Sequence, residues 1–326
     1  MKVFVTKKIP QIGITLLEQA GHEVTEYDSP VNLTQEELIA TCQSYDALLI
    51  GSPGAVKIDK DFLERCRNLK VIALLAVGYD VVDVAEATRL KMPIGNTPDV
   101  LSVATADVAF LLMLATSRKA FYQYKRILDG EWKSFDPIAN LGFQLDNKTL
   151  GIFGLGKIGY EMAKRCKGAF NMKIIYHNRS ANANAEKELG ATKVSFDELL
   201  QQSDVLSIHT ALTPETRGVF NKDTFAKMKP TSLFINTARG AIHNETDLKD
   251  ALDKGLIWGA GLDVTNPEPM LPDNPLLIMP NVCVLPHIGS ATIEARNAMA
   301  HIAAENIIAG LEGKRLPHPV NPEIYA

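Results

Sequence analysis

Three short segments carry side chains suited to act together: Asn236-Thr237-Ala238-Arg239-Gly240, Gly261-Leu262-Asp263-Val264 continuing to Glu268, and Leu285-Pro286-His287-Ile288-Gly289-Ser290. Arginine presents a planar fork that can hold a carboxylate and a carbonyl oxygen together. Histidine exchanges a proton near neutral pH. A buried carboxylate beside that histidine favours the imidazolium and keeps it a donor. Arg239, Glu268 and His287 are thus the residue types needed to bind a 2-oxo acid, polarise its ketone and protonate the alkoxide left by hydride addition. Singly, each reads more plainly: an arginine in a surface ion pair, a glutamate in a solvated turn between prolines, a structural histidine. Their shared position just after predicted strands joins them, because ligands of open α/β sheets bind beyond the carboxyl ends of the strands.

A hydride source is suggested by Gly154-Leu155-Gly156-Lys157-Ile158-Gly159. Such a glycine pattern is weak alone. Here it follows the apolar run Leu150-Gly151-Ile152-Phe153 and opens a helical pattern, the setting of a dinucleotide pyrophosphate at a helix N-terminus. An NAD site carries an acidic residue about 20 positions further on, bonded to the ribose 2′-hydroxyl. The run there is His177-Asn178-Arg179-Ser180, without a carboxylate. Arg179 suits a 2′-phosphate, with Asn178 and Ser180 as donors. The expected cofactor is NADPH/NADP+, with NADH possible.

The elements must bring these segments to one place. In the first hundred residues, strand patterns (Lys2–Thr6, Glu23–Tyr27, Ala47–Ile50, Val71–Ala76, Pro93–Gly95) alternate with helical ones (Gly13–Ala20, Gln35–Gln43, Lys60–Cys66, Val82–Leu90). Thr34 with Glu37 forms a capping box. Ser102–Lys119 is helical and apolar nearly all round, so it must be buried on several sides, against a second subunit or within the chain. A second series follows: strands at Thr149–Phe153, Lys173–Tyr176, Asp204–His209, Leu233–Asn236, Gly259–Leu262 and Val282–Leu285, and helices at Lys157–Phe170, Phe196–Gln202, Asn221–Lys227, Glu245–Lys254 and Ile293–Leu311. Alternation of this kind gives α/β architecture with two doubly wound parallel-sheet domains. The pattern of the last helix assigns it to neither.

Composition excludes several classes. The 326 residues exceed one ordinary core, and 46% are apolar and 22% charged, as in soluble globular proteins. A net charge of -4 gives no general attraction to nucleic acid or an anionic membrane. The N-terminus reads directly as a strand, so no signal peptide is expected, and no apolar run approaches a membrane span. Cys42, Cys66, Cys166 and Cys283 are scattered, implying neither a metal site nor a disulfide framework, and a cytoplasmic location is expected. His22, His177, His209, His243, His301 and His318 read as non-catalytic. Trp132 and Phe135 read chiefly as packing residues, with approach to a neighbouring subunit as the alternative. The loop Gly51-Ser52-Pro53-Gly54 follows a predicted strand, where a pocket border is expected.

Taken in order, Ala76-Val77-Gly78-Tyr79-Asp80, Asn96-Thr97-Pro98-Asp99, Gly151–Gly159, Asn236–Gly240, Gly261–Pro269 and Pro286–Thr292 resemble the D-isomer-specific 2-hydroxyacid dehydrogenases, in their glyoxylate/hydroxypyruvate reductase branch. The resemblance spans essentially the whole chain. It implies a flavodoxin-like substrate-binding domain from residues 1–99 plus 289–326, with a Rossmann cofactor domain, 100–288, inserted. It implies that Arg239 binds substrate carboxylate and carbonyl, that His287 exchanges the proton, and that Glu268 bonds His287 and raises its pKa. Backbone amides of Val77 and Gly78 would receive the carboxylate, with Ser290 nearby. Asp263 would hold the nicotinamide carboxamide, and Thr105, Thr237 and Gly289 would line the cofactor beside Gly154, Leu155, Gly156, Lys157 and Ile158. The expected partners are a small 2-oxo or 2-hydroxy acid and a second copy of the chain through the cofactor domain. Rival readings are a reductase of a bulkier 2-oxo acid (2-ketogluconate or an aromatic pyruvate) and a non-catalytic, dinucleotide-sensing protein like the corepressors that share this fold.

Overall fold

A computed structural model describes residues 1–51 and 56–326; Ser52–Ala55, and with them most of the Gly51–Gly54 loop, lie outside the described residues. The chain divides into two compact units, Met1–Leu101 with Ala291–Ala326, and Ser102–Ser290.

The first unit holds β1 (Lys2–Val5), α1 (Gln11–Gln19), β2 (Glu23–Glu26), α2 (Gln35–Cys42), β3 (Ala47–Ile50), α3 (Lys60–Arg65), β4 (Val71–Leu74), α4 (Val84–Arg89) and β5 (Ile94–Gly95). These strands pair with one another in parallel, in the order β2-β1-β3-β4-β5, the doubly wound order of flavodoxins. β3 and β4 are buried at every position, as strands covered on both faces must be, whereas the edge strand β2 alternates. The Thr34–Glu37 capping box starts α2. The C-terminal helix Ile293–Leu311, which its pattern assigned to neither unit, lies against α1, β3, β4 and β5 of the first.

The second unit begins with α5 (Ser102–Ser117), shorter than the sequence pattern because Lys119 turns into the left-handed region (φ 55°). A further helix that the pattern did not show, α6 (Ala120–Leu128), follows. Then come β6 (Thr149–Phe153), α7 (Lys157–Phe170), β7 (Lys173–His177), α8 (Ala183–Leu189), β8 (Thr192–Lys193), α9 (Phe196–Gln202), β9 (Val205–Ile208), α10 (Lys222–Phe225), β10 (Leu233–Asn236), α11 (Glu245–Asp253), β11 (Gly259–Leu262) and β12 (Val282–Val284). The sheet is parallel in the order β12-β11-β10-β9-β6-β7-β8, a Rossmann order whose reversal falls between β6 and β9.

α5 packs on α7 and on β10, β11 and β12, so burial within the chain accounts for Ala106, Ala109, Leu112 and Met113; Val103 and Leu111 stay exposed. On one side of the sheet, Phe153, Phe196, Phe220, Phe225 and Phe234 pack with ring centroids 5.2–5.7 Å apart, mostly edge to face. Each such pair adds about 0.5–1.5 kcal/mol beyond its area burial. That layer packs against β6 and β10, from which the glycine loop and the Arg239 segment leave.

Candidate active site

The glycine loop leaves β6 and passes directly into α7. Gly154 has φ +98°, and a Cβ there would stand 2.7 Å from the Thr210 amide nitrogen at the end of β9, so only glycine makes this turn. Gly156 is different: a Cβ would meet nothing within 4 Å, leaving open space over the start of α7. Within the loop, the Gly154 N–H donates to His177 O (3.1 Å) and the Gly156 N–H to Gly154 O (2.8 Å). The first-turn N–H groups of α7, beginning at Lys157 and Ile158, have no carbonyl four residues back within the helix and carry its positive end. This is a cradle for an anion such as a pyrophosphate.

The end of β7 adds a feature absent from the sequence reading. Asn178 uses its amide at both ends on Leu155: the Leu155 N–H donates to Asn178 Oδ1 at 2.7 Å, and Asn178 Nδ2 donates to Leu155 O at 3.2 Å. Asn182, which caps α8 through the Ala185 N–H, also donates to Leu155 O at 2.9 Å. Asn178 and Leu155 therefore hold each other, and Arg179 and Ser180 are the exposed members of that run. Lys193 Nζ donates to Arg179 O at 3.2 Å. Glu215, held below its ordinary value chiefly by a hydrogen bond from Thr213, also feels the Arg179 charge.

Arg239, Glu268 and His287 converge at the carboxyl ends of β10, β11 and β12. His287 Nδ1 lies 2.5 Å from Glu268 Oε1. The pair is half exposed rather than buried, with side-chain exposures of 45% and 38%. Partial burial pushes the Glu268 carboxyl up, but the hydrogen bond and charge of His287, the Thr265 backbone and the charge of Arg239 together hold it below its ordinary value. Arg239 Nη1 donates to Ala238 O at 2.8 Å. Gly240 allows its loop to press on the neighbouring segment: a Cβ there would overlap Thr265 O at 2.0 Å.

His287 has φ 54°, uncommon for a residue with a Cβ. Asp263 holds it there. The His287 N–H donates to Asp263 O (2.9 Å), and the Ile288 and Gly289 N–H groups donate to Asp263 Oδ1 (2.8 Å) and Oδ2 (2.7 Å). Burial pushes the Asp263 carboxyl up, opposed by those two amides.

Comparison with known proteins places this geometry. Residues 110–289 match the family model described as D-isomer specific 2-hydroxyacid dehydrogenase, NAD binding domain. Over 327 aligned residues the chain is 42% identical to a glyoxylate reductase of Thermococcus litoralis, covering 99% of this chain and 97% of that one. The chain belongs to the D-isomer-specific 2-hydroxyacid dehydrogenase family. Among solved structures, it is similar to a Thermus thermophilus protein (39% identity, TM-score 0.90, covering 98% of this chain and 100% of that one). It is also similar to an NADPH-dependent glyoxylate/hydroxypyruvate reductase of Sinorhizobium meliloti in complex with NADP and malonate (30% identity, TM-score 0.82, 98% and 97% covered).

Thr105, on α5, is buried against the Gly289 position. Thr237 is buried with its Oγ1 lacking a hydrogen-bond partner among the described residues. An orphaned hydroxyl on β10's exit loop, the open space at Gly156 and the α7 N-terminus together fit a dinucleotide. Ser290 follows the Asp263-bound turn and is half-buried. In the first unit, the loop carrying Val77 and Gly78 is braced from the far end of the chain. Asn306 Nδ2 donates to Asn96 O (3.0 Å), and Asn96 Nδ2 donates to Val77 O (2.8 Å). Trp132 and Phe135 enter no core; both are largely exposed. His243 is buried, and His209 is half-buried with Nε2 2.8 Å from the Ser207 hydroxyl. Among the described residues no His, Cys, Asp and Glu cluster could hold a metal, and no helix is long and apolar enough to cross a membrane.

Proposed function

We propose that this chain reduces a small 2-oxo acid, glyoxylate to glycolate and hydroxypyruvate to D-glycerate, with NADPH preferred over NADH. The observation that carries the reading is the His287–Glu268 contact standing beside Arg239 at one edge of a Rossmann sheet. When bound, the reduced nicotinamide supplies the hydride that adds to C2. Arg239 binds the carboxylate and polarises the ketone; Val77, Gly78 and Ser290 complete substrate binding. His287 gives its proton to the oxygen as the alkoxide forms and takes it back in the reverse reaction, so one hydride and one proton reduce the ketone to an alcohol. Glu268 orients the imidazole through Nδ1. The cofactor is received by the Gly154–Ile158 loop, Thr105, Thr237, Asp263 and Gly289. Arg179 and Ser180 meet the 2′-phosphate, while Asn178 shapes the loop beneath. The cofactor role goes to the inserted unit, which also carries Arg239, Glu268, His287 and Ser290, and Val77 and Gly78 give the discontinuous unit its substrate-binding part. A cytoplasmic homodimer completes the proposal; four free, buried cysteines and exposed apolar side chains on the inserted unit support it.

The test follows oxidation of NADPH and NADH by absorbance with glyoxylate, hydroxypyruvate, pyruvate and phenylpyruvate. The expected result is the highest kcat/KM with the two small polar acids and NADPH. A preference for phenylpyruvate would favour the bulkier-substrate reading, and no turnover at all a sensing role. Arg179→Ala should weaken NADPH use about tenfold more than NADH use; equal losses reject the 2′-phosphate role.

A further inference from the structure

The loop that carries Arg239 is pinned from below by a side chain the reaction itself does not use. Asn236, the last residue of β10, is fully buried. Its Oδ1 accepts the Ala238 N–H at 2.9 Å. Its Nδ2 donates to Arg239 O at 2.9 Å, and stands 3.1 Å from Nδ1 of His243. An amide nitrogen carries two hydrogens, so these two contacts use both. For the second to be a hydrogen bond, Nδ1 must accept, and the ring proton must sit on Nε2.

His243 is placed to do this and little else. It is 2% exposed, and its ring stands edge to face on Phe234 with centroids 5.6 Å apart. Its backbone N–H donates to Gly240 O at 3.1 Å, closing the short turn that follows Arg239. Nε2 is buried without a hydrogen-bond partner among the described residues. A buried N–H without a partner costs free energy. A ring tolerated in that state is kept for its other nitrogen. A protonated Nδ1 would set two N–H groups against each other and release the Asn236 amide, and with it the Arg239 carbonyl.

We infer that His243 is a positioning residue for Arg239: through the Asn236 amide it sets where the guanidinium stands, and so how tightly the 2-oxo acid carboxylate is held. The inference rests on the substrate-binding role proposed for Arg239. Removing the acceptor leaves Asn236 one partner short and lets the Ala238–Gly240 backbone shift, which affects substrate grip before chemistry or dinucleotide binding. Asparagine at this position can place Oδ1 where Nδ1 stood and accept the same hydrogen.

The experiment measures KM for glyoxylate, kcat, and NADPH affinity by fluorescence titration in His243→Leu, His243→Asn and Arg239→Ala. In His243→Leu, KM should rise about tenfold while kcat and NADPH affinity change less than about threefold; His243→Asn should return KM to within about threefold of the parent. A parental KM in His243→Leu, equal losses in all three quantities, or no rescue by asparagine overturns the inference. Arg239→Ala separates the two claims. Parental KM in that variant overturns the substrate role itself, whereas lost substrate binding there beside an unchanged His243→Leu overturns only the positioning role. Nitrogen-15 NMR of the unmodified protein gives a reading independent of variant folding. The His243 ring should hold its proton on Nε2 without titrating between about pH 5 and 8; a proton on Nδ1, or titration in that range, also overturns it.

Discussion

Asp263 shows how one carboxylate sets the conformation of a neighbouring histidine. Its two oxygens accept separate amides on the turn after His287, and its own carbonyl accepts the His287 N–H. Asparagine is nearly the same size but offers one acceptor and, at the other position, a donor facing an N–H. Asp263→Asn should therefore cost about 1–3 kcal/mol in stability, because a buried amide loses its partner. The same change should lower kcat as His287 leaves its positive φ. Urea unfolding and steady-state rates check both. Two further histidines bear on pH. Burial pulls His209 down to about 3 and His243 down to about 4. Both are neutral when folded and protonate once exposed, so the unfolded chain binds the extra protons. Stability is then full above about pH 6.5 and is lost as pH falls toward those values, by up to roughly 2.7 kcal/mol per unit near pH 5. Denaturation midpoints from neutral to mildly acid pH should fall accordingly. His209→Gln, which keeps a group for the Ser207 hydroxyl now 2.8 Å from Nε2, should flatten that slope by about one proton. Glu268 acts lower on the scale: its depressed carboxyl keeps its contribution above its ordinary value of 4.5 and loses it only below.

Among the elements, legibility followed hydrophobic period and punctuation. α7, α9 and the C-terminal helix, with β6, β10 and β11, begin and end where the apolar pattern does. α6 did not register although it is amphipathic, because it is short, starts after a left-handed lysine with no capping side chain and buries no residue fully. α8 was overlooked although Asn182 caps it and Gly190 closes it at φ 63°; seven residues with two buried are too few to show a helical period. The Arg239, Glu268 and His287 segments were visible because each combines a strand end with a chemically distinctive side chain. The clamp of Asn178 and Asn182 on Leu155 was not, because an amide that shapes a loop has the same composition as one that meets a ligand. The glycine loop tests this element directly. Gly156→Val puts a branched side chain into the open space over α7, so it should weaken NADPH and NADH binding alike by about a hundredfold while leaving the melting temperature within a few degrees. Calorimetric titration with each dinucleotide checks it; selective loss of one would contradict a shared pyrophosphate seat.

On the inserted unit several large apolar side chains stand exposed: Val103 and Leu111 on α5, and Trp132, Phe135, Ile138 and Leu141 in the segment before β6. Where such side chains adjoin in one patch they mark protein contacts. The proposed homodimer predicts twice the monomer mass in sedimentation equilibrium, and Trp132→Ser with Phe135→Ser should shift that equilibrium toward monomer; a monomer at all concentrations would remove the dimer from the proposal. Division into two compact units also carries an implication for synthesis. The sheet begun by Met1–Leu101 rests on a helix that leaves the ribosome only after Ser102–Ser290 has been made. The inserted unit can therefore complete its own core while the earlier one still waits with a bare face. The first strands translated are among the last to be sealed, and a chain cut short before residue 293 would keep a Rossmann unit while leaving an uncovered sheet prone to aggregation.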